Sequence, residues 1–190
     1  SIPDLSVVRP VDYASARLLR SFQEARRAGS PPPFPSPPER INAVACALDF
    51  LRHYETEIAP RLAAGRLLVC DRYAPCYLAY ALACDLRLYH GLQSVFSGVV
   101  PADRVVYLSC GLGVLRERLA AKRPPEHQPV EKLLALEKAY GSVLEPLEHV
   151  VRLRTDGPLE ECYAALREAV LGQRTPGNEH PAAVPEAVEC

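Results

Sequence analysis

The chain has 190 residues, 48% hydrophobic and 24% charged, enough for one soluble globular domain with a sizeable core. A formal net charge of -1 removes any global case for binding nucleic acid or an anionic membrane, and no stretch approaches the roughly 20 apolar residues that span a bilayer. The seven cysteines (46, 70, 76, 84, 110, 162 and 190) include no Cys-x-x-Cys pair, so zinc and thioredoxin-type chemistry lack their spacing, and reduced thiols in a cytoplasmic protein are expected.

In chain order, Leu5–Arg9 is the first of four apolar runs that read as strands; the others are Arg66–Cys70, Arg104–Cys110 and His149–Arg154. Val11–Ala28 reads as a helix with Leu18, Leu19 and Phe22 on one side and a stop at Gly29. Ser30–Pro38 holds six prolines in nine residues and must be extended, either as a stiff connector or as a ligand for a proline-recognition domain. Glu39–Ala64 repeats Ile41, Val44, Leu48, Leu51 and Ile58 at helical spacing, with Pro60 expected to kink it. Pro75–Val95 is apolar on most faces, as a helix packed into the core should be.

Leu112–Ala121, Val130–Leu147 and Pro158–Leu171 complete the helical patterns, and polar Gly172–Cys190 reads as a disordered tail. The alternation predicts an α/β domain over residues 1–171: a three-layer parallel sheet with helices on both faces.

Chemistry concentrates in Leu67-Leu68-Val69-Cys70-Asp71-Arg72-Tyr73. The apolar run reads as a strand buried on both faces. Ligands of open α/β sheets bind past the carboxyl ends of the strands, which is where Asp71 and Arg72 would stand. An arginine fork suits a phosphate and an aspartate suits a hydrated metal ion, whereas an ordinary strand would end in a solvated ion pair.

The stretch from Glu57 to Tyr73, with Ala79-Tyr80 after it, resembles the thymidylate kinase signature: an acid-rich helix, an I-x-P-x-L-x-x-G turn, an apolar strand, D-R-Y and A-Y. The resemblance is specific over 57–80 and looser over 5–171. There Val8-Arg9-Pro10 is similar to R-E-P-G without its Glu and Gly, and Leu115–Leu119 with Lys122-Arg123 resembles the helix entering the lid.

It implies a P-loop nucleoside-monophosphate-kinase fold that moves the γ-phosphoryl of ATP, with Mg2+, onto a nucleotide or another small phosphorylated acceptor. Arg72 would hold the acceptor phosphate with help from Arg9, Asp71 would orient the magnesium hydration shell through water, and Tyr73 would lie in the acceptor site. Lys122 and Arg123 would close over the phosphoryl from a lid-like segment at 122–130; their alternative is a solvated helix end. Tyr80 would lie against the sugar, or serve as a core tyrosine. Family members dimerise, so a homodimer is an expectation of the same kind.

Departures from the pattern accompany the matches. No G-x-x-x-x-G-K-[ST] occurs, and none of the ten glycines precedes a lysine. The chain thus starts at what resembles the second strand. Either one βα unit of about thirty residues precedes it, or the triphosphate site is lacking. The first is preferred, because a sheet without a central strand leaves buried backbone unpaired.

Aligned without gaps, the F-x-x-x-R that stacks on and hydrogen-bonds thymine falls at Cys46 and Phe50; Cys76 replaces a serine and Ala81 a glutamine. These changes argue against plain dTMP as acceptor. An inactive kinase-fold protein that binds a nucleotide or a partner is the competing expectation, and a scaffold acting through Ser30–Pro38 is a third. The five histidines show no metal spacing, and Ser109–Gly113 reads as a tight turn without G-x-G-x-x-G. Cys76 reads better as a buried small residue than as a nucleophile.

Overall fold

The computed structural model describes residues 5–8, 39–122 and 129–171. The expected helix Val11–Ala28, the Ser30–Pro38 loop, Arg9, Arg123 and the tail at 172–190 lie outside the described residues. In chain order the elements are β1 (Leu5–Val8), α1 (Glu39–His53), a π-helical turn (Tyr54–Ile58), α2 (Ala59–Ala63), β2 (Leu67–Cys70), α3 (Ala74–Cys84) and α4 (Leu86–Val95). A 3-10 turn (Phe96–Gly98), β3 (Val105–Ser109), α5 (Leu112–Ala121), α6 (Val130–Leu144), β4 (Val150–Arg154) and α7 (Leu159–Leu171) follow. Helices and short parallel strands alternate in the α/β manner, and the described strands form two two-stranded ladders. The elements fall into two compact units, one built on β1 and β2 and the other on β3 and β4.

In the first unit β1 and β2 pair in parallel, Val7 opposite Val69 and Val8 opposite Cys70. The helical pattern of Glu39–Ala64 is interrupted near Pro60, as its sequence leads one to expect, and divides into α1, the π turn and α2. Its break comes one turn before Pro60, where the Ala59 N–H reaches back to the Tyr54 carbonyl in a π turn. Proline has no N–H to give and its ring crowds the carbonyl four residues back, so a widened turn accommodates it. Helix α2 then closes in a Schellman motif: Gly65 N–H donates to the Leu62 carbonyl at 2.9 Å and Arg66 N–H to the Arg61 carbonyl at 3.0 Å. Gly65 sits at φ 71, the left-handed conformation that this motif requires and glycine adopts without penalty.

Strand β2 differs from the doubly buried strand expected of it. Leu68 and Cys70 pack on the core, while Leu67 is 50% and Val69 48% exposed. Among the described residues the core lies on one face of this ladder, so side chains alternate between packed and open. The core joins Val8, Ala47, Phe50, Tyr54, Ile58, Ala81, Leu92, Phe96 and Val99, and a smaller cluster joins Ala79, Ala139 and Val143. Ala79 and Ala81 are fully buried, which lets α3 pack against α1, α4 and α6.

The single helix expected over Pro75–Val95 is two helices. Asp85 is extended (φ -166, ψ 130), and its carboxylate accepts from Arg87 N–H at 2.7 Å and Leu88 N–H at 3.3 Å. An aspartate satisfies the orphan donors of a new helix better than it continues an old one. Apolar periodicity alone hides such a cap.

In the second unit β3 and β4 pair in parallel from Val105 opposite Val150 to Ser109 opposite Arg154. Arg104 donates to the Ala169 carbonyl at 2.5 Å, tying the approach to β3 onto α7. At the strand ends Asp156 accepts from Gly111 N–H at 2.5 Å and from Arg154 Nε at 2.7 Å. Arg118 donates to the Thr155 carbonyl and to Thr155 Oγ1.

Candidate functional site

The carboxyl end of β2 is fixed on both sides of Arg72. Before it, Asp71 N–H extends the ladder to the Val8 carbonyl at 2.9 Å. After it, Tyr73 begins α3 in extended backbone, its hydroxyl donating to the Val100 carbonyl at 2.8 Å. Val100 N–H in turn donates to the Tyr54 hydroxyl at 3.0 Å, so two tyrosines clamp one segment. Between these anchors Arg72 is held at φ 76, the left-handed region, the one non-glycine there among the described residues. For a residue with a Cβ that conformation costs about 1–2 kcal/mol. Asp71 and Arg72 are both exposed, so the strained turn presents a carboxylate and a guanidinium outward.

Behind this corner lies an aromatic cluster. Phe50 stacks on Tyr77 with ring centroids 4.7 Å apart at 26°, and meets Tyr73 at 5.4 Å and Phe96 at 5.5 Å edge-on. Phe50 is 4% exposed: the position that the resemblance aligns with a base-reading arginine is here a hub of the core. The Tyr73 ring lies against Phe50 and Tyr54, and its hydroxyl is committed to Val100. Burial first, then Tyr54, holds that hydroxyl well above its ordinary range.

Cys46 and Asp49 of α1 lie near enough to Tyr77 of α3 to act on its charge, and Cys46 likewise on Tyr80. Burial, then the neighbouring Cys76, pushes Tyr77 up to about 12, with Arg72 opposing. Burial and then Cys84 push Tyr80 up to about 12. The Cys46 thiol is raised by burial and then by Asp49, again opposed by Arg72. A neutral Cys46 thiol and neutral Tyr77 and Tyr80 phenols are therefore expected at neutral pH, which suits contact rather than nucleophilic attack. Cys76 is half-buried in the first turn of α3, its N–H on the Tyr73 carbonyl at 2.8 Å.

Asp71, Arg72, Tyr73, Cys46, Phe50, Cys76 and Tyr80 all belong to the first unit; Lys122 ends α5 in the second. Arg9 and Arg123 are not among the described residues. Sequence reasoning missed Asn42, Asp49 and Tyr77. The spacing Asn42, Cys46, Asp49 places three polar side chains on one helical face and could have revealed two of them.

Among the described residues no three metal-ligating side chains gather, and Asp71 stands as an isolated exposed carboxylate. An exposed carboxylate is a donor of the type that magnesium takes through water. No helix of the described residues is long and apolar enough to cross a membrane.

Known proteins resemble this chain in sequence over part of its length. A thymidylate kinase of Trichormus variabilis is 31% identical over 77 residues, covering 38% of this chain and 36% of the relative. The chain is similar to thymidylate kinases. A probable thymidylate kinase of Staphylothermus marinus is 26% identical over 133 residues, 69% of this chain and 66% of the relative. A thymidylate kinase of Xanthomonas euvesicatoria pv. vesicatoria is 28% identical over 131 residues, 67% of this chain and 58% of the relative. The chain thus spans between about a third and two thirds of the length of these relatives. No family model matches it.

Proposed function

We propose that this chain belongs to a thymidylate-kinase-like phosphotransferase with a three-layer nucleoside-monophosphate-kinase fold. It would move the γ-phosphoryl of ATP onto a nucleoside monophosphate, or a related phosphorylated small molecule, other than plain dTMP. The carrying observation is Arg72: an exposed guanidinium held in a strained backbone turn at the carboxyl end of a parallel strand. Strain of this kind persists only where surrounding structure over-determines it, and it concentrates at ligand clamps. The similarity to thymidylate kinases supports the same reading.

In it the Arg72 fork grips the acceptor phosphate, fixing the attacking oxygen. Asp71 would hold a bound magnesium ion through its water ligands. Lys122 and Arg123 bring positive charge to the transferring group and exclude water. ATP and Mg2+, when bound, supply the phosphoryl group and neutralise its charge.

The test is ADP release from ATP and Mg2+ by the full-length protein across a panel of nucleoside monophosphates. Turnover with at least one is expected, and Arg72→Ala should lower kcat/KM by roughly 10- to 100-fold, the loss of a charge-assisted hydrogen bond. Absence of ADP release with every monophosphate would overturn the proposal. Binding without release would leave the inactive nucleotide-binding protein in its place.

A further inference from the structure

Helix α1 carries a polar stripe beside its core face. Asn42, Cys46 and Asp49 recur at spacings of four and three, whereas Ala43, Ala47, Phe50 and Tyr54 form the packed face one residue round. On that stripe the Asn42 Oδ1 and Asp49 Oδ2 atoms are buried and have no hydrogen-bond partner among the described residues. Both oxygens accept hydrogen bonds, and the Asn42 amide carries an NH2 donor beside its own. Buried acceptors without donors lose their hydration and gain nothing in exchange, so each such group calls for an explanation. The stripe has a direction along α1. Arg72 and Asp49 both act on Cys46 and on Tyr77, while Cys46 and Glu39 act on Tyr80 further along. The Arg72 guanidinium and the Asp49 carboxylate thus both bear on Cys46 and Tyr77, and Asn42 lies one turn before Cys46 on the same stripe of α1.

We infer that the α1–α3 seam selects phosphomonoesters whose organic part carries an amino group, with Asp49 and Asn42 as its hydrogen-bond acceptors and Arg72 on the phosphate. The inference rests on the proposed role of Arg72 and adds the chemical class of the acceptor. Thymine and uracil flank a single N–H with two carbonyl oxygens, which would set acceptor against acceptor here. Cytosine and adenine present an amino group, whose two N–H donors match the unfilled oxygens. The selection is stronger for being buried, because a mismatched ligand leaves the same oxygens dry and unpaired.

The experiment is calorimetric titration of the protein, without ATP, by dCMP, dAMP, dTMP and dUMP. The two amino-bearing nucleotides are expected to bind at least 10-fold tighter. Asp49→Asn, which exchanges an acceptor oxygen for an amide able to donate, should weaken dCMP about 10-fold and leave dTMP unchanged or tighter. Asn42→Asp keeps an acceptor and should retain the preference. Equal affinity for all four, or an Asp49→Asn effect shared equally by dCMP and dTMP, overturns the inference. If all four bind alike and Arg72→Ala weakens them alike, the phosphotransferase reading stands and the amino selectivity falls. If none binds, both fall. Should Asp49→Asn fail to fold, the ranking of the four nucleotides on the unmodified protein still decides.

Discussion

Arg72 combines a conformational cost with an outward-facing charge, and the two can be separated by substitution. Glycine adopts φ 76 without steric penalty, so Arg72→Gly should raise stability by up to about 1 kcal/mol in denaturant unfolding while weakening phosphomonoester binding. A loss of stability would mean the turn is not strained as its backbone indicates. Asp156 gives a second residue-scale prediction, through pH. Its carboxyl is held below the ordinary range, first by the Gly111 N–H and then by Arg154. A depressed carboxylate contributes stability that is present above its unfolded pKa, near 4, and is lost as pH falls through the lower folded value. The gap in thermal midpoint between the unmodified protein and Asp156→Asn should therefore be open at pH 7 and narrow below about pH 4. A gap independent of pH would show that Asp156 acts only through neutral contacts.

At the scale of elements, two boundaries are set by local chemistry: Pro60 announces the first, and apolar periodicity hides the second, at Asp85. The turn Ile58-x-Pro60-x-Leu62-x-x-Gly65 is one device: a π turn admits the proline, a single helical turn follows, and Gly65 reverses the chain into β2. Gly65→Ala meets open space yet must hold φ 71, so it should cost about 1–2 kcal/mol through backbone strain alone. Chemical denaturation measures this directly, and a neutral substitution would show that the Schellman geometry is dispensable. At Asp85 the helical pattern continues in sequence while the helix does not. Its carboxylate finds two N–H donors by starting α4, and no alternation of apolar residues encodes that choice.

At the scale of the whole molecule, the aromatic cluster makes the candidate site and the core one construction. Phe50 touches Tyr54, Tyr73, Tyr77 and Phe96, and Tyr73 leads directly out of Arg72. Phe50→Ala should cost about 3–5 kcal/mol in unfolding experiments, and loosen the Tyr73 start of α3 with it. A cost below about 1 kcal/mol would mean that the cluster repacks around the gap. Among the described residues, strand and helix types, the parallel pairing of the strands and the place of Asp71 and Arg72 at a strand end were legible in the sequence. Apolar runs closed by charges and helical spacing are local patterns, and local patterns determine elements. What only the tertiary structure decided is which side chains the corner faces. Phe50 turned into the core, Tyr73 spent its hydroxyl on Val100, and the Asn42–Asp49 stripe was left with unfilled oxygens, because those outcomes depend on contacts between segments far apart in the chain.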